Sequence, residues 1–371
     1  MRATKAIIYL DNFRENLGQV KKRAGPGRRI CVPVKADAYG HGAVRIAETA
    51  LAEGAYALGV ATVGEGAELR RAGIRAPVLL FSQALGEELG ELVSLDLTPF
   101  VSDPESIDMA GRAAALAGKT ITAHLKIDTG MGRMGCRPEE AADLARRIGE
   151  HPRLLLGGTA THLAVSDSWE AEDRAYTKAQ LGRFQEALSA MKAAGLDPGI
   201  IHAANSGALV FHEDALFDMV RPGIFLYGYS PAGGSPLEGE LPVKPVMEVR
   251  SALALIKRVR KGESLSYGRT WTASEDTVAG VLPIGYADGL PRLLSNKHRV
   301  LIQGRFYPIV GRICMDQCLV NLGPGSTIPR WEEAVVFGPG AETAAGMARQ
   351  LGTISYEITC GVNKRVPRIY Q

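Results

Sequence analysis

Cysteine is scarce in this 371-residue sequence, which contains five cysteines and no Cys-x-x-Cys pair. Such a scattered, odd set indicates reduced thiols and a cytoplasmic protein rather than a disulfide scaffold. No apolar run approaches the ~20 residues of a membrane helix, and residues 1–11 lack the apolar core of a secretion signal. The formal charge is only +3, with no dense block of lysine and arginine, so neither nucleic acid nor a membrane is expected as a partner.

The sequence also lacks a Gly-x-Gly-x-x-Gly motif after its first strand, which argues against a dinucleotide-binding fold. Short apolar runs instead alternate with helical stretches such as 138–148 and 171–194. The eight apolar runs cover residues 30–34, 57–62, 77–81, 97–101, 121–127, 155–160, 199–202 and 219–224. Eight strands in repeated strand–helix order predict an α/β fold with a closed (β/α)8 TIM-type barrel.

A second domain is expected after the barrel, because the chain is longer than a barrel needs. The Pro/Gly/Ser cluster at 231–236 is typical of a boundary. The β-rich runs that follow it cover residues 246–260, 277–282, 299–302 and 334–337. We therefore predict a barrel over 12–237 and a mostly-β C-terminal domain over 238–371. Residues 1–11 are expected to add a strand, at 6–10, to the β domain.

The first barrel strand runs into the sequence Val-Pro-Val-Lys-Ala-Asp-Ala-Tyr-Gly-His-Gly at residues 32–42. Its lysine, Lys35, stands at the carboxyl end of a buried strand, where α/β barrels place catalytic groups. Burial there disfavours the ammonium form, so the amine becomes a better nucleophile and base and can hold an aldehyde cofactor as a Schiff base. Taken alone, such a lysine is more often a solvated side chain at a strand end.

Further polar residues follow the other predicted strands. They are Tyr39 after the first strand, Lys126, Asp128 and Arg133 after the fifth, His162 after the sixth, Asn205 and Ser206 after the seventh, and Arg221 and Gly223 after the eighth. Each has an ordinary structural interpretation, as a core histidine, a surface cation or a helix cap. Because strand ends meet at one face of a barrel, we expect them to gather in one site, with a phosphate position near the seventh and eighth strands.

Nine motifs lie along the chain in a fixed order. They are Val-Lys-Ala-Asp-Ala-Tyr-Gly-His-Gly (34–42), Lys-Ile-Asp-Thr-Gly-Met-Gly-Arg-Met-Gly (126–135), Thr-His-Leu-Ala (161–164), Ala-Asn-Ser-Gly (204–207), Val-Arg-Pro-Gly-Ile (220–224), Ser-Tyr-Gly-Arg-Thr (266–270), Pro-Ile-Gly-Tyr-Ala-Asp-Gly (283–289), Gly-Arg-Ile-Cys-Met-Asp (311–316) and Arg-Val-Pro-Arg (365–368). In this order, and covering nearly the whole chain, they resemble the motifs of alanine racemases, which are pyridoxal-phosphate (PLP) enzymes of fold type III.

The resemblance implies that the chain interconverts L-alanine and D-alanine with PLP held by Lys35, supplying D-alanine to a peptidoglycan cell wall. Racemisation requires a proton to leave one face of Cα and return to the other, so a second base is needed opposite Lys35. The family assigns that base to Tyr267, supplied by the other subunit of a homodimer, near His162 and Arg221. Facing the pyridine nitrogen, Arg221 can only donate hydrogen bonds, which keeps that nitrogen unprotonated and limits transamination.

The same resemblance implies further roles. Arg133 would bind the substrate carboxylate or the phenolate oxygen of the cofactor, and Met315 of the partner subunit would contact the substrate. Lys126 matches a position that is carbamylated in many members of the family; if it is unmodified, an ion such as chloride is expected beside it. Cofactor contacts are implied for Lys35, Tyr39, Asn205, Ser206, Arg221, Gly223, Ile224 and Tyr356. A narrow entrance and its outer corridor are implied for Tyr286, Tyr356, Asp167, Arg292, Arg312 and Ile354. Met134 and Leu290 stand at variable positions and are expected to lie away from the chemistry.

Three other functions remain open from the sequence. A non-catalytic PLP carrier resembles the barrel half but lacks the β domain with its second base. A decarboxylase of basic amino acids shares the architecture, but its chemistry benefits from a protonated ring nitrogen, which Arg221 disfavours. A metal-dependent barrel hydrolase could use His124, His162, His202 and a carbamylated Lys126, but the first strand lacks the usual His-x-His pair.

Overall fold

The structure, a computed structural model, describes residues 2–231 and 242–371. A short strand, β1 (Lys5–Ile8), and a helix, α1 (Leu10–Ala24), precede a sheet of eight parallel strands. Its strands are β2 (Arg29–Pro33), β3 (Ala57–Val60), β4 (Val78–Leu80), β5 (Thr98–Val101), β6 (Ile121–Lys126), β7 (Leu154–Ala160), β8 (Ile200–His202) and β9 (Met219–Val220). From β2 to β8 each strand pairs with the next along the chain, and β9 returns to pair with β2.

The sheet closes into a barrel between β8 and β9. The amide of Asp218 donates to the carbonyl of Ile201 over 3.0 Å, and the amide of Arg221 donates to the carbonyl of Ala204 over 2.8 Å. The last strand is shorter than predicted, because residues 221–223 leave the sheet and a 3-10 helix follows at Ile224–Tyr227. This early exit places Arg221 at the open end of the barrel.

Helices follow the barrel strands on the outside. They are α2 (Ala43–Ala52), α3 (Val63–Arg71), α4 (Leu89–Ser94), α5 (Pro104–Leu116), α6 (Ala141–Glu150), α7 (Ala171–Ala193) and α8 (Ser206–Phe211). Side-chain caps decide where several of them begin. The hydroxyl of Thr62 accepts from the amide of Glu65 over 3.2 Å, so the residues predicted to extend β3 instead start α3. A 3-10 turn at Pro138–Glu140 likewise precedes α6.

The second unit is a sheet of nine strands. The strands of the C-terminal half are β10 (Met247–Ala252), β11 (Leu255–Val259), β12 (Ser264–Leu265), β13 (Trp271–Thr272), β14 (Thr277–Leu282), β15 (Arg299–Ile302), β16 (Arg305–Val310), β17 (Cys318–Gly323), β18 (Glu333–Phe337) and β19 (Arg368–Tyr370). The nine-stranded order is β11-β14-β17-β16-β15-β18-β10-β1-β19, and β12 pairs with β13 separately. Two helices, α9 (Ala344–Leu351) and α10 (Ser355–Cys360), complete this half. A parallel eight-stranded barrel followed by a mostly-β domain confirms the predicted fold class.

The N-terminal strand joins the C-terminal sheet. Strand β1 pairs antiparallel with β10 and parallel with β19, and it ends at Ile8 because α1 begins at Leu10. The predicted boundary between residues 237 and 238, and most of the Pro/Gly/Ser cluster at 231–236, lie outside the described residues, so the division into 12–237 and 238–371 stays a prediction. In the described parts of the chain, no helix combines the length and apolar character needed to cross a membrane.

The barrel interior is filled by alternate residues of its strands. A buried cluster in the barrel consists of Cys31, Ala57, Leu79, Phe100, Ala160 and Met219. Successive side chains of a strand point to opposite faces, so residues two positions further along point inward as well. The two-residue period therefore fixes which side chains reach the end of the barrel where the strands terminate. All five cysteines of the chain are free thiols.

Candidate active site

A cavity of about 200 Å³ opens at the carboxyl end of the barrel strands. Its walls are formed by Pro33, Lys35, Tyr39, Phe81, Phe100, Lys126, Met131, Arg133, Met134, His162, Asp167, Asn205, Ser206, Gly207, Arg221, Gly223, Pro231 and Tyr356. Several of these residues continue the alternation of inward-facing side chains that builds the barrel core. Lys35 lies four residues after the core residue Cys31, His162 two after Ala160, and Arg221 two after Met219. The polar wall is thus a continuation of the inward-facing rows.

Lys35 is followed by an unusual backbone turn. Residues 36–39 all have positive φ values of 51–55°, so one helical turn is left-handed without a glycine in it. This conformation costs roughly 1–2 kcal/mol per residue and persists only where neighbouring groups enforce it. Glu65 accepts from the amide of Ala36 over 2.7 Å, and the buried ring of His41 donates from Nδ1 to the carbonyls of Ala38 and Tyr39. These contacts fix the base of the Lys35 side chain.

The electrostatic environment of Lys35 favours its neutral amine. Burial lowers the pKa of Lys35 below its ordinary value, and the positive charge of Arg133 lowers it further. The carboxylate of Glu65 opposes this shift without cancelling it. A lowered pKa increases the fraction of neutral amine, and the neutral amine is the form that adds to a carbonyl carbon and that accepts a proton.

Arg221 is buried at the bottom of the cavity and bonded to three acceptors. Its Nη1 lies 2.6 Å from Nδ1 of His202, and its Nη2 donates to the carbonyls of Thr161 and Ala203 over 2.9 and 3.2 Å. Burial lowers the pKa of Arg221 to about 10, so the guanidinium stays charged at neutral pH. Two of its five donors, the Nε–H and one Nη1–H, have no acceptor among the described residues.

Two buried histidines extend this contact across the barrel. Because a guanidinium only donates, Nδ1 of His202 accepts and its proton sits on Nε2. That Nε2 lies 2.9 Å from Nδ1 of His124, which therefore accepts in turn. Burial, followed by the charge of Arg221, lowers the pKa of both imidazoles, that of His124 to about 4. The row Arg221–His202–His124 thus holds one positive charge at its Arg221 end.

Lys126 and His162 complete the cationic side of the cavity. Burial, then the charge of Arg221, lowers the pKa of Lys126 to about 7. Its Nζ donates to the carbonyl of Ile127 over 3.1 Å. The same two causes hold the pKa of His162 well below its ordinary value, so this imidazole is neutral. Lys126 is consequently poised between its charged and neutral forms near pH 7.

The opposite side of the cavity is built from residues after β8 and β9. The hydroxyl of Ser206 accepts from the amide of Gly223 over 2.8 Å. Asn205 caps α8, because its Oδ1 accepts from the amide of Ala208 over 2.9 Å, as the ordinary structural interpretation of this segment predicts. A Cβ at Gly223 would lie 2.6 Å from the hydroxyl of Tyr39, so only glycine leaves this corner open. Hydroxyl and amide groups therefore surround a small open space.

Eight of the predicted site residues lie outside this cavity. Asp128 accepts from the amides of residues 130–133 in the loop after β6, and Ile224 is fully buried. The others are Tyr267, Met315, Tyr286, Arg292, Arg312 and Ile354. Four of them are unusually exposed for apolar or aromatic side chains: Tyr267 is 71% exposed, Ile354 60%, Met315 53% and Tyr286 43%. The chain on its own thus presents Lys35 in a cavity and Tyr267 on a surface.

Several cavity residues were not predicted from the sequence. Phe81 and Phe100 lie at the ends of β4 and β5, and Met131 and Met134 lie in the loop after β6. Met134 was expected to lie away from the chemistry, but it lines the cavity, whereas Leu290 is buried in the core. The two aromatic residues follow the two-residue period of their strands, which is the signal that could have revealed them.

Buried histidines predict a marked acid sensitivity of the fold. His41, His124 and His202 are buried, and burial lowers the pKa of each, to about 4 for His41 and His124. As the pH falls below 6.5, the unfolded chain binds protons that the folded chain excludes, so the free energy of unfolding decreases. Three such groups give a slope of up to about 4 kcal/mol per pH unit.

The free energy of unfolding can be measured with urea at several pH values between 6.5 and 5 to give this slope. The range is chosen because ordinary carboxyl groups titrate at lower pH. Replacing His41 by asparagine, whose side-chain amide can still donate to the carbonyls of Ala38 and Tyr39, should reduce the slope by about one proton. A free energy of unfolding that stays constant over this range would contradict the neutral state assigned to these histidines.

A metal centre built from these histidines has no support in the geometry. In the described ranges 2–231 and 242–371, no three His, Cys, Asp or Glu side chains gather as a metal would require. Nδ1 of His124 and both ring nitrogens of His202 are occupied by the row that ends on Arg221. Two of the four residues of the hydrolase alternative, His124 and His202, are thus engaged with each other.

Comparison with known proteins agrees with this fold. The family model for the alanine racemase N-terminal domain matches residues 8–231, and that for the alanine racemase C-terminal domain matches residues 246–370. The chain is 48% identical to an alanine racemase of Treponema denticola, over all of this chain and 98% of that protein. It is 42% identical to an alanine racemase of Treponema pallidum over the full length of both.

Solved structures are similar over the whole chain. An alanine racemase of Clostridium difficile superimposes with a TM-score of 0.95 at 36% identity, covering all of this chain and 96% of that one. An alanine racemase of Bacillus anthracis, solved with bound L-Ala-P, gives a TM-score of 0.92 at 34% identity, covering all of this chain and 95% of that one. The predicted resemblance and the prediction of a racemase enzyme are confirmed. Over both its barrel and its β domain, the chain belongs to the alanine racemase family.

Proposed function

We propose that this chain interconverts L-alanine and D-alanine with PLP. It would act in the cytoplasm as a homodimer with shared active sites and supply D-alanine for peptidoglycan. One observation carries the proposal: a single cavity joins Lys35, an amine with a lowered pKa, to the buried charge of Arg221 and to the open corner beside Ser206 and Gly223. The relatives of the chain support alanine as the substrate, since they are named alanine racemases.

The residues of the cavity fit PLP. Four basic side chains, Lys35, Lys126, Arg133 and Arg221, line it together with one carboxylate, Asp167, among the described residues. Within residues 2–231 and 242–371, neither of the two arginines forms an ion pair with a carboxylate. This uncompensated positive charge suits a phosphate and a substrate carboxylate. The corner that a Cβ at Gly223 would fill offers room for phosphate oxygens.

Each part of the cofactor would meet a defined group. Lys35 would bind the aldehyde carbon, and the free donors of Arg221 would face the ring nitrogen. The phosphate would lie among Tyr39, Ser206, Gly223, Ile224 and Tyr356, and Asn205 would also contact the cofactor. When bound, PLP withdraws the negative charge that develops on Cα of alanine as its proton leaves. Tyr39 is held for its part by stacking on Tyr227, with ring centroids 4.8 Å apart.

Arg221 would limit side reactions by its permanent charge. A guanidinium donates hydrogen bonds and accepts none, so a ring nitrogen facing it stays unprotonated and withdraws less charge. Three acceptors hold Arg221 in place, and the lowered pKa of His202 keeps that imidazole neutral, so the charge stays on the guanidinium. Proton return to Cα is then favoured over transamination.

The second base would come from another copy of the chain. Lys35 reaches the substrate from one face, and inversion needs a proton donor on the opposite face. Tyr267 and Met315 project from the surface of the β domain instead of entering the cavity of their own chain. We therefore propose that Tyr267 of the partner subunit is the second base and that Met315 of the partner subunit contacts the substrate. Arg133 would bind the substrate carboxylate.

The entrance is proposed to be narrow. Tyr356 and Asp167 lie in the cavity wall, and Tyr286, Arg292, Arg312 and Ile354 lie outside it in the same chain. In a dimer these residues would form the corridor that leads to Lys35. Two tyrosines at the entrance, Tyr286 and Tyr356, favour a substrate with a small side chain. A pocket for a methyl group rejects one extra methylene by about 1–3 kcal/mol. Serine is therefore expected as a slow substrate.

We expect Lys126 to carry a carbamate. With a pKa of about 7, its amine is largely neutral above that pH and can add to the carbon of CO2, forming an N–C bond and releasing one proton to water. The resulting anion would orient Arg133 towards the substrate. A hydrogen bond between charged groups contributes about 1.5–3 kcal/mol, so its loss in Lys126→Met should raise the KM for alanine roughly tenfold or more.

Labelling with 13C-bicarbonate and NMR of the intact protein tests this modification. The carbamate carbon should give a signal above pH 7 that fades as the pH falls below 7, because protonation removes the nucleophilic amine. Lys126→Met should lack the signal, and the matched variant Lys178→Met, on the exposed side of α7, should retain it. A signal that survives in Lys126→Met would refute carbamylation at this lysine.

The proposed function is tested by spectroscopy and isotope exchange. The purified protein should absorb near ~420 nm, and borohydride should abolish the band and leave a phosphopyridoxyl group on Lys35. Addition of L-alanine in deuterated water should then place deuterium at Cα while optical rotation decays. A bound cofactor without exchange would support the carrier, CO2 release from a basic amino acid would support the decarboxylase, and absence of any cofactor would overturn the proposal.

A further inference from the structure

The C-terminal sequence Arg365-Val366-Pro367-Arg368 has no role in the function proposed above, although it is one of the nine motifs. We refer to these four residues as the C-terminal clamp. The last of them, Arg368, begins β19, which lies at the edge of the nine-stranded sheet beside β1. The two arginines of the clamp bind different parts of the molecule, and both parts belong to the site.

Arg368 binds the turn that follows Lys35. Its Nε and Nη2 donate to the carbonyl of Gly40 over 3.0 and 2.9 Å. Nη2 also donates to the carbonyl of Val362 over 2.6 Å, and Nη1 donates to the carbonyls of Asn363 and Val366, both over 2.7 Å. All five N–H donors of the guanidinium are thus used on backbone carbonyls.

The position of Gly40 explains why this contact matters. Gly40 ends the left-handed turn of residues 36–39 with a φ of 86°, and a Cβ there would lie 2.1 Å from the carbonyl oxygen of Thr359. The turn therefore packs closely against α10, and its last carbonyl, that of Gly40, accepts from Arg368. Glu65 holds its first amide, at Ala36, over 2.7 Å. A strained turn fixed at both ends can present Lys35 in one orientation.

Arg365 binds the loops that carry exposed residues of the β domain. Its guanidinium donates to Asp288 over 2.6 Å and to Asp316 over 2.5 Å. Asp288 is fully buried and also accepts from Arg2 over 2.6 Å and from the amide of Gly285 over 3.0 Å.

The two acidic residues lie beside residues proposed to enter the partner's site. Asp288 is two positions after Tyr286, and Asp316 directly follows Met315. The amide of Tyr286 donates to the carbonyl of Cys314 over 3.0 Å, and that of Ala287 donates to Met315 over the same distance. Arg365 thus ties together two loops that already contact each other.

We propose that the C-terminal clamp positions both halves of a shared active site, with Arg368 fixing Lys35 within its own chain and Arg365 fixing the Tyr286 and Met315 loops offered to the partner. The inference rests on the proposed function, in which Lys35 binds PLP and a second copy completes the site. Arg365 and Arg368 are separated by only two residues, Val366 and Pro367, so one short segment reaches both halves of the site. Neither arginine touches the cavity, and both act as positioning residues.

Two conservative variants of the full-length chain separate the two supports. In each, the cofactor is removed, PLP is added, and the rate of its capture on Lys35 is followed by borohydride trapping and mass spectrometry. A displacement of a reacting group by about 1 Å costs up to about 100-fold in rate, so Arg368→Lys should slow capture tenfold or more. It should also move the pH profile of capture upward, since a loosened turn admits water to Lys35. Arg365→Lys should change capture less than twofold.

Hydrogen exchange of the same proteins supplies the second readout. Arg368→Lys should accelerate exchange at residues 36–42, and Arg365→Lys should do so at 285–289 and 313–316. Unchanged capture in folded Arg368→Lys, or equal effects of both variants on capture, would overturn the proposal. If Arg368→Lys does not fold, Arg368→Gln, which keeps two donors, replaces it. Failure of the wild-type chain to capture PLP would refute the proposed function instead, while the exchange pattern would still test the clamp.

Discussion

Replacing Lys35 by alanine should abolish racemisation in both directions. The residue is proposed both to bind the cofactor and to serve as one of the two bases, so a single substitution removes two contributions. A positioned general base alone contributes about 10²–10⁴-fold, so a loss of at least 10⁴-fold is expected for the combined roles. Polarimetry started from L-alanine and from D-alanine, with PLP supplied in excess, measures both directions.

Lys178→Ala is a suitable control for this substitution. It removes a lysine of the same charge from the exposed side of α7, and we expect it to leave both rates unchanged. Noncovalent binding of PLP by the Ser206 corner should persist in Lys35→Ala, which a spectral titration can show. If Lys35→Ala kept more than about a hundredth of the activity in either direction, Lys35 would not be the base proposed here.

The position of Lys35 was predictable because it follows from a general property of barrels. A buried apolar run, a lysine at its end and a glycine-containing turn place that residue at the carboxyl end of the strands. The same argument predicted the placement of His162 and Arg221 in one cavity. Each lies a multiple of two residues beyond an inward-facing core residue, so the strand period determines which way its side chain points.

The left-handed turn after Lys35 was not predictable from the same pattern. Ala36 and Ala38 have no local preference for positive φ, and Asp37, which tolerates it better, does not by itself indicate a whole left-handed turn. The turn depends on Glu65, His41 and other groups that are far away in sequence or point inward only after folding. Such tertiary contacts override local propensity, and they appear only once the barrel and the β domain are assembled.

The row of buried side chains from Arg221 to His124 illustrates a second kind of limit. Sequence alone allowed His124 and His202 to be metal ligands, since spacing cannot show which groups face each other across a barrel. In the structure the two rings hydrogen-bond to each other, and His202 also accepts from Arg221. Similarly, Tyr267 is exposed and lies outside the cavity of its own chain, and sequence carries no information on exposure at this position.

Replacing Tyr267 by phenylalanine should remove one of the two bases and leave the other. The two enantiomers have equal free energy, so kcat/KM for racemisation must fall equally in both directions, by about 10²–10⁴-fold. Exchange of the Cα proton with solvent should fall unequally. The enantiomer whose proton is taken by Lys35 should still incorporate deuterium with retention of configuration, whereas the other should lose exchange together with inversion. Equal loss of exchange from both enantiomers would sink the two-base assignment.

A mixture of two inactive variants tests whether Tyr267 acts across the dimer. In a dimer of one Lys35→Ala chain and one Tyr267→Phe chain, a shared site contains either both substitutions or neither. Random reassembly of equal amounts makes about half of the dimers mixed, and each mixed dimer regains one of its two sites, so about a quarter of the wild-type activity should return. If Tyr267 served the cavity of its own chain, every site would carry one substitution and no activity would return. The mixture therefore decides which chain supplies the second base, independently of how large each single loss is.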